Sequence, residues 1–191
     1  MDPNEPPQPS PDWLDLTTTA TPVRVGVWLL TTAGVVAVAV AHRSNPILAL
    51  LLCLVVVTYG VLSISDAAEQ RLPNRITLPL AGATFAGVFI GGIVRSDLGA
   101  GFGAMGIGLA FAVVLFVMRF GMGDVKMALS VGAIAGWLGR DAVFTTMFAG
   151  AIAGAVVAVV LIAVYRRRTI SFSYGPFLAI GSVVGMVTAG L

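Results

Sequence analysis

Residues 46–66 read PILALLLCLVVVTYGVLSISD, an apolar run from Pro46 to Ile64 that ends at Asp66. Apolar runs of roughly 18 or more residues are typical of transmembrane helices. The run is continuous, whereas a transmembrane β-strand alternates apolar and polar residues. An ionisable group at the edge of a membrane span is costly and marks a candidate functional position. The stretch therefore predicts a membrane helix and the first residue of a site.

The composition of the whole chain agrees with a membrane protein. Its 191 residues are 58% hydrophobic and 10% charged, whereas a soluble domain is about 25% charged. The sequence predicts an all-α fold, a polytopic transmembrane bundle of about seven helices, and the short connections predict antiparallel hairpins. The predicted segments are Val23–Ala41, Pro46–Ser65, Ile76–Val94, Gly99–Met118, Val125–Leu138, Ala142–Val164 and Phe172–Gly190.

Three regions follow from this pattern. Residues 1–22 are polar, acidic and rich in proline, which predicts a disordered cytoplasmic tail. Residues 23–45 form an additional N-terminal transmembrane helix, and residues 46–191 form a six-helix domain. Glycines four residues apart predict close helix packing. These pairs are Gly87/Gly91, Gly99/Gly103, Gly132/Gly136, Gly150/Gly154 and Gly181/Gly185.

Several classes of partner are not expected. Cys53 is the only cysteine, so the chain has no internal disulfide and no zinc-type ligand spacing. The net charge is +2 and no basic cluster is interleaved with aromatic residues, so nucleic acid is not expected as a partner.

A second acid stands in residues 120–126, which read FGMGDVK. Two predicted spans separate Asp66 from Asp124, so both acids fall on the same side of the membrane. Gly121 and Gly123 allow a close backbone approach at this point. Of two adjacent carboxyl groups, an ionised one can deprotonate water while a protonated one polarises a carbonyl. Two such acids meeting at a helix end are the minimum that an aspartyl hydrolase requires.

Three motifs resemble one family. Residues 121–126 resemble the Gly-x-Gly-Asp motif of intramembrane aspartyl proteases, and more narrowly the prepilin leader peptidases, in which a lysine two residues after the aspartate is typical. Asp66 followed by residues 71–77, RLPNRIT, resembles the other acidic motif of that family. Residues 174–179, YGPFLA, resemble its late Gly-Pro-Phe-Leu segment. The resemblance covers roughly residues 50–191.

This resemblance implies a function. It implies a membrane-embedded aspartyl endopeptidase in which Asp66 and Asp124 are catalytic. The substrate would be a type IV pilin-like precursor with a short basic leader before an apolar helix, and no metal or organic cofactor would be needed. The implied location is the bacterial or archaeal cytoplasmic membrane. The supporting motif residues are Gly121, Gly123, Lys126, Pro73, Asn74, Gly175 and Pro176.

The chain also departs from the family pattern. Larger members carry a cytoplasmic insert with paired Cys-x-x-Cys motifs and methylate the new N-terminus. Because this chain has one cysteine, methyltransferase activity is not expected. Residues 67–70, AAEQ, are less basic than the family norm, which leaves the recognition of the leader open.

Basic residues predict the orientation in the membrane. If both acids are cytoplasmic, eight basic residues lie inside and three outside, and such a bias favours that orientation. The N-terminus and the active site are then both cytoplasmic. The inside residues are Arg24, Arg71, Arg75, Arg119, Lys126, Arg166, Arg167 and Arg168; the outside residues are Arg43, Arg95 and Arg140.

Other interpretations of single residues stay open. Asp124 is also a suitable helix N-cap, and Asp66 is also compatible with a boundary acid that faces water. Lys126 is compatible with three roles: keeping Asp124 ionised, binding a substrate carboxylate, or anchoring the helix at the membrane surface. Pro73 and Asn74 suit a turn or cap, although Asn74 could hold a substrate backbone.

Two other classes of protein stay open as well. A small proton-coupled transporter or channel also uses intramembrane acids and glycine-rich helices, but it would place the acids near the middle of the bilayer. A membrane scaffold without catalytic activity would tolerate the loss of either aspartate. The sequence does not name the precursor, the pilus system or the oligomeric state.

Overall fold

A computed structural model of the chain describes residues 21–69, 73–165 and 174–191. Within these residues the fold is a bundle of seven α-helices without a strand, as the hydropathy pattern predicts. The helices are α1 Thr21–Ala41, α2 Pro46–Glu69, α3 Asn74–Val94, α4 Leu98–Val117, α5 Met122–Leu138, α6 Arg140–Tyr165 and α7 Gly175–Gly190.

Six helices, α1 to α6, begin or end one to four residues beyond the predicted segments, and the largest extension is in α2. Helix α2 continues past Ser65 to Glu69, so Asp66 lies inside its last turn. The residues that follow Asp66, two alanines and a glutamate, have high helix propensity, which explains the extension. Helix α1 begins at Thr21, because Pro22 is tolerated in a first helical turn. The rest of the predicted tail, together with Arg71 and residues 166–168, lies outside the described residues.

In the part of the chain that the structure describes, five helices are long and apolar enough to cross a membrane: α1, α2, α3, α4 and α6. Helices α5 and α7 are shorter, with 17 and 16 residues. These two lie in the interior of the bundle, where α5 packs against α3, α4, α6 and α7, and α7 packs against α1, α2, α5 and α6. A helix that is covered by neighbouring helices need not be as long as one that spans the hydrocarbon core in contact with lipid. The chain is a multi-pass membrane protein with two short central helices.

Glycines set the closest helix approaches. A Cβ on Gly132 of α5 would lie 2.9 Å from the Gly108 Cα of α4, and a Cβ on Gly181 of α7 would lie 2.9 Å from the Gly150 N of α6. The predicted packing role is therefore confirmed for these helix pairs. It is wrong for Gly87 and Gly103, which have open space around them. Spacing alone does not say which face of a helix meets a neighbour.

A buried polar contact joins the helices beneath the site. The Tyr59 hydroxyl of α2 lies 2.9 Å from the Ser130 Oγ of α5, and it also bonds with Ser182 of α7. All three side chains are buried within the apolar core between these helices. In apolar surroundings an unpaired hydroxyl costs about 1–3 kcal/mol, so this contact favours one rotation of each helix.

The opposite end of the bundle is joined by a second contact. His42 is buried after α1, and its Nε2 lies 2.8 Å from the Met186 carbonyl oxygen of α7. Cys53 is half-buried, and its thiol points to the Val35 carbonyl at 3.5 Å. These contacts hold α1 against α2 and α7.

Candidate active site

Asp66 and Asp124 are both buried at helix ends. Asp66 lies in the last turn of α2 and is 4% exposed, while Asp124 lies in the first turn of α5 and is 8% exposed. The interpretation of Asp66 as a boundary acid facing water is therefore wrong. A carboxyl group rarely becomes buried without partners, because losing hydration penalises its charged form.

Gly175 brings the two acids to one point. A Cβ built on this first residue of α7 would overlap Asp66 Oδ2 and would lie 3.6 Å from Asp124 Oδ1. The two carboxyl groups also interact electrostatically with each other. Three helices thus meet here, α2 and α5 each supplying an acid and α7 supplying a residue without a side chain.

Backbone N–H groups from two segments of the chain donate to the acids. The Gly175 N–H donates to Asp66 and to Asp124. Asp124 also accepts from the N–H groups of Tyr174 and Gly121. The N-cap of α5 is Gly121, and Asp124 is the third residue of the helix. The N-cap interpretation of Asp124 is therefore wrong, although its carboxylate does reach back to the N-cap amide.

Burial dominates the ionisation of Asp124, which lies outside the five candidate spans. Loss of hydration raises the pKa of its carboxyl to about 6, against the lowering effect of the backbone hydrogen bonds. Burial, and then the nearby Asp124 carboxylate, raise the pKa of the Tyr174 hydroxyl as well. The site therefore contains a carboxyl group that changes charge near neutral pH beside a phenol that stays protonated.

An aromatic group packs beside these acids. The Phe120 ring lies 4.8 Å from the Tyr174 ring, and the Tyr174 ring lies 6.0 Å from the Phe177 ring, centroid to centroid. These residues come from the connection before α5 and from the start of α7. The aromatic group therefore joins the Gly-x-Gly-Asp and Gly-Pro-Phe-Leu motifs and helps to keep water away from Asp124.

The remaining motif residues frame the site. The Lys126 Nζ donates to Asn74 Oδ1 at 2.6 Å, which ties the start of α5 to the start of α3. Pro73 is the N-cap of α3 and makes no side-chain cap. Gly123 and Pro176 occupy the first turns of α5 and α7. The sequence suggested that Lys126 keeps Asp124 ionised, binds a substrate carboxylate or anchors the helix. The contact with Asn74 is a different interaction, which the sequence did not predict.

Some residues at the site were not predicted from the sequence. Tyr59, Ser130 and Ser182 link the three helices that carry Asp66, Asp124 and Gly175. Their signal is a hydroxyl within an apolar segment, which is a candidate for an interhelical hydrogen bond. Among the residues that the structure describes, no three His, Cys, Asp or Glu side chains lie close enough to hold a metal ion.

Comparison with known proteins identifies the family. Residues 50–159 match the model of the type IV leader peptidase family, which is more than half of the chain. The chain belongs to this family. The match runs from α2 into α6 and includes both acids, whereas α1 and α7 lie outside it.

Two curated proteins are similar to the chain. A prepilin leader peptidase/N-methyltransferase of Escherichia coli (strain K12) is 30% identical over 139 residues, covering 65% of this chain and 57% of that protein. A protein of the same name from Pectobacterium carotovorum subsp. carotovorum is 31% identical over 138 residues, covering 68% of this chain and 48% of that protein. The chain thus spans about half the length of these relatives. No solved structure matches the chain.

Proposed function

We propose that the chain is an aspartyl endopeptidase that removes the leader from type IV pilin-like precursors at the cytoplasmic face of the membrane. The observation that carries the proposal is the pair of buried acids, Asp66 and Asp124, that meet at Gly175. Membership of the type IV leader peptidase family supports the same activity. The position of both acids at helix ends favours this activity over a transporter, whose acids would lie near the middle of the bilayer.

The surroundings of the acids support distinct roles. Asp124 lies at the start of α5, where the helix dipole favours a negative charge, and it accepts three backbone hydrogen bonds. Asp66 lies in the last turn of α2, where the dipole disfavours a negative charge, and Gly175 is its backbone donor. Asp124 is therefore the base, and Asp66 holds the proton that the pair shares in the resting enzyme.

The cleavage follows from these roles. The Asp124 carboxylate takes a proton from water, and the resulting hydroxide attacks the scissile carbonyl carbon while the Asp66 carboxylic acid donates its proton to the carbonyl oxygen. A neutral gem-diol forms, with Asp124 protonated and Asp66 ionised. Asp124 then protonates the departing nitrogen, and Asp66 takes a proton from the diol as the C–N bond breaks. Both acids return to their starting states.

Loss of either acid tests the proposal. The chain is co-expressed with a type IV prepilin, and leader removal is followed by the change in mobility on a gel. Asp66→Asn and Asp124→Asn are each expected to abolish cleavage while membrane levels of the protein stay the same. The reason is that one acid cannot both accept the proton of water and donate a proton to the scissile carbonyl oxygen.

Two controls separate the acids from charge in general. Asp141 is an exposed acid in the first turn of α6, so Asp141→Asn should cleave as the parent chain does. Glu69→Gln, three residues after Asp66, should also retain activity. Cleavage by Asp124→Asn would contradict the mechanism, and a parent chain that never cleaves a prepilin would contradict the proposed function.

A further inference from the structure

A lateral groove of about 410 Å³ lies between α1, α2 and α7. Its walls come from the middle of α1, the second half of α2 and most of α7. Along α7 it extends from Pro176 to Thr188, a rise of about 18 Å at 1.5 Å per residue. Pockets of about 300–1,000 Å³ are the usual size for binding sites.

One end of the groove lies next to the residues that hold the two acids. Pro176, which lines it, directly follows Gly175, the residue that both acids contact. Ser63, which lines it on α2, lies three residues before Asp66 and therefore about one helical turn away. A chain that lies in the groove along α7 thus reaches the acids at its end.

The lining accepts only an apolar occupant. None of the described residues that line it is charged, and the three hydroxyl groups among them already have partners. Each bonds to a carbonyl of its own helix, and the Thr188 hydroxyl also contacts the Thr145 hydroxyl of α6 at 3.1 Å. Thr31 donates to the Val27 carbonyl, Ser63 to the Tyr59 carbonyl and Thr188 to the Val184 carbonyl. A polar segment would therefore lose its hydration without gaining hydrogen bonds in return.

Small residues make the groove suitable for a helix. Ala37 and Ala179 contribute small side chains to its walls, and small residues allow transmembrane helices to approach closely. A helix of about 12 residues matches the 18 Å extent along α7. A lipid chain would fit the same hydrocarbon surface, but it would bring no peptide bond to the acids where the groove ends.

We infer that this groove is the docking surface for the apolar membrane segment of the protein substrate, with α1 as its outer wall. The inference rests on the proposed function and extends it to α1, a helix outside residues 50–159 of the family match. The substrate segment lies alongside α7, and its end enters the site between Asp66 and Asp124.

Filling the groove tests the inference. Ala37 lines the groove, whereas Ala39 on the same helix is exposed and does not, so Ala37→Phe and Ala39→Phe form a matched pair. With a full-length type IV prepilin in membranes, Ala37→Phe is expected to raise KM about tenfold, the equivalent of about 1.4 kcal/mol of binding. Ala39→Phe should match the parent chain.

A shorter substrate separates docking from chemistry. A peptide that spans the leader junction without the apolar segment does not use the groove, so Ala37→Phe and the parent chain should cleave it equally. The inference is overturned if Ala37→Phe and Ala39→Phe cleave the full prepilin equally. It is also overturned if Ala37→Phe loses activity on the peptide to the same extent.

Cross-linking tests the groove independently of cleavage. A photoreactive benzoylphenylalanine replaces Val184 in the groove or, as a control, Val159 on the exposed face of α6. The residue at 184, but not the one at 159, is expected to cross-link to the apolar segment of the prepilin. Cross-links from 184 only to lipid, or only to a second copy of the chain, would overturn the inference. Cross-linking to prepilin without any cleavage would support the groove while contradicting the proposed function.

Discussion

Gly175 lies so close to Asp66 that a methyl group at residue 175 would overlap Asp66 Oδ2. Gly175→Ala is therefore expected to displace the Asp66 carboxyl group and to lower kcat about 100-fold, since a misplacement of about 1 Å can have an effect of this size. The measurement is prepilin cleavage by purified protein in detergent, together with the thermal denaturation midpoint.

The chain offers a matched control for this variant. Gly103 of α4 has open space where its Cβ would lie, so Gly103→Ala should leave kcat unchanged. Helix propensity favours alanine over glycine in both positions. A Gly175→Ala enzyme with parental kcat would mean that the methyl group is accommodated without moving Asp66.

The pH profile should show the raised pKa of Asp124. Because burial raises this pKa to about 6, the proposed base becomes protonated as pH falls through that value. Cleavage should therefore decline below about pH 6, well above the ordinary aspartate value of about 3.9. The measurement is kcat/KM against pH for the purified protein, which reports ionisations of the free enzyme.

Removing one ring of the aromatic group should shift the acid limb of the pH profile, which is the decline of cleavage below about pH 6. Phe120→Ala removes a ring that packs on Tyr174 beside Asp124, so water reaches the carboxylate and the acid limb shifts to lower pH. The control is Phe148→Ala, since Phe148 is 62% exposed on α6, and its profile should not move. An acid limb that stays in place in Phe120→Ala would show that this ring does not keep Asp124 dehydrated.

The contact between Lys126 and Asn74 predicts a coupled pair. Lys126→Met and Asn74→Ala each break the bond between the starts of α5 and α3. Each is expected to lower cleavage about fivefold, the equivalent of about 1 kcal/mol for one hydrogen bond. The double variant should lose no more than either single variant. The acid limb should stay in place, because the Lys126 ammonium bonds to Asn74.

A different result would change the role of Lys126. If Lys126→Met shifts the acid limb towards neutral pH, the ammonium keeps Asp124 ionised, since removing a nearby positive charge raises the pKa of a carboxyl group. Additive losses in the double variant would instead show that Lys126 and Asn74 act separately, for example on the substrate.

The buried hydroxyl contact beneath the acids should stabilise the bundle. Tyr59→Phe and Ser130→Ala each leave a buried hydroxyl without one of its partners, so each is expected to lower the free energy of unfolding by about 1 kcal/mol. The double variant should lose less than the sum of the two. The measurement is unfolding in detergent, with Thr58→Val as the control because Thr58 bonds within its own helix. Equal stability of Tyr59→Phe and the parent chain would contradict a stabilising role.

Reporter fusions test the predicted orientation. The excess of basic residues on the side of the acids predicts that a reporter after Arg168 is cytoplasmic and one inserted after Arg95 is external. Alkaline phosphatase and green fluorescent protein activities provide complementary readouts. The opposite pattern would place both acids on the wrong side for a cytoplasmic leader peptidase.

The sequence by itself determined the helical class and most of the helix boundaries. Long apolar segments can satisfy their backbone polar groups in a membrane only as helices or closed barrels, and continuous runs select helices. The boundaries were less certain where good helix formers followed the apolar run. Helix α2 therefore continues to Glu69, although the hydropathy signal stops before Asp66.

The sequence also identified the acids and the motifs around them, because an ionisable residue at the end of an apolar segment is conspicuous. It did not determine their burial. A water-facing Asp66 and an N-capping Asp124 were both compatible with the sequence, since local spacing does not show what a different helix brings to the same point.

The tertiary structure alone decided how three distant segments meet. Asp66, Asp124 and Gly175 are far apart along the chain, and they adjoin because α7 packs against both α2 and α5. It also decided that Lys126 bonds to Asn74 and that α1, α2 and α7 enclose a groove leading to the acids. In helices that are apolar on nearly every face, sequence periodicity does not select neighbours; close contact between small residues and pairing of buried polar groups select them.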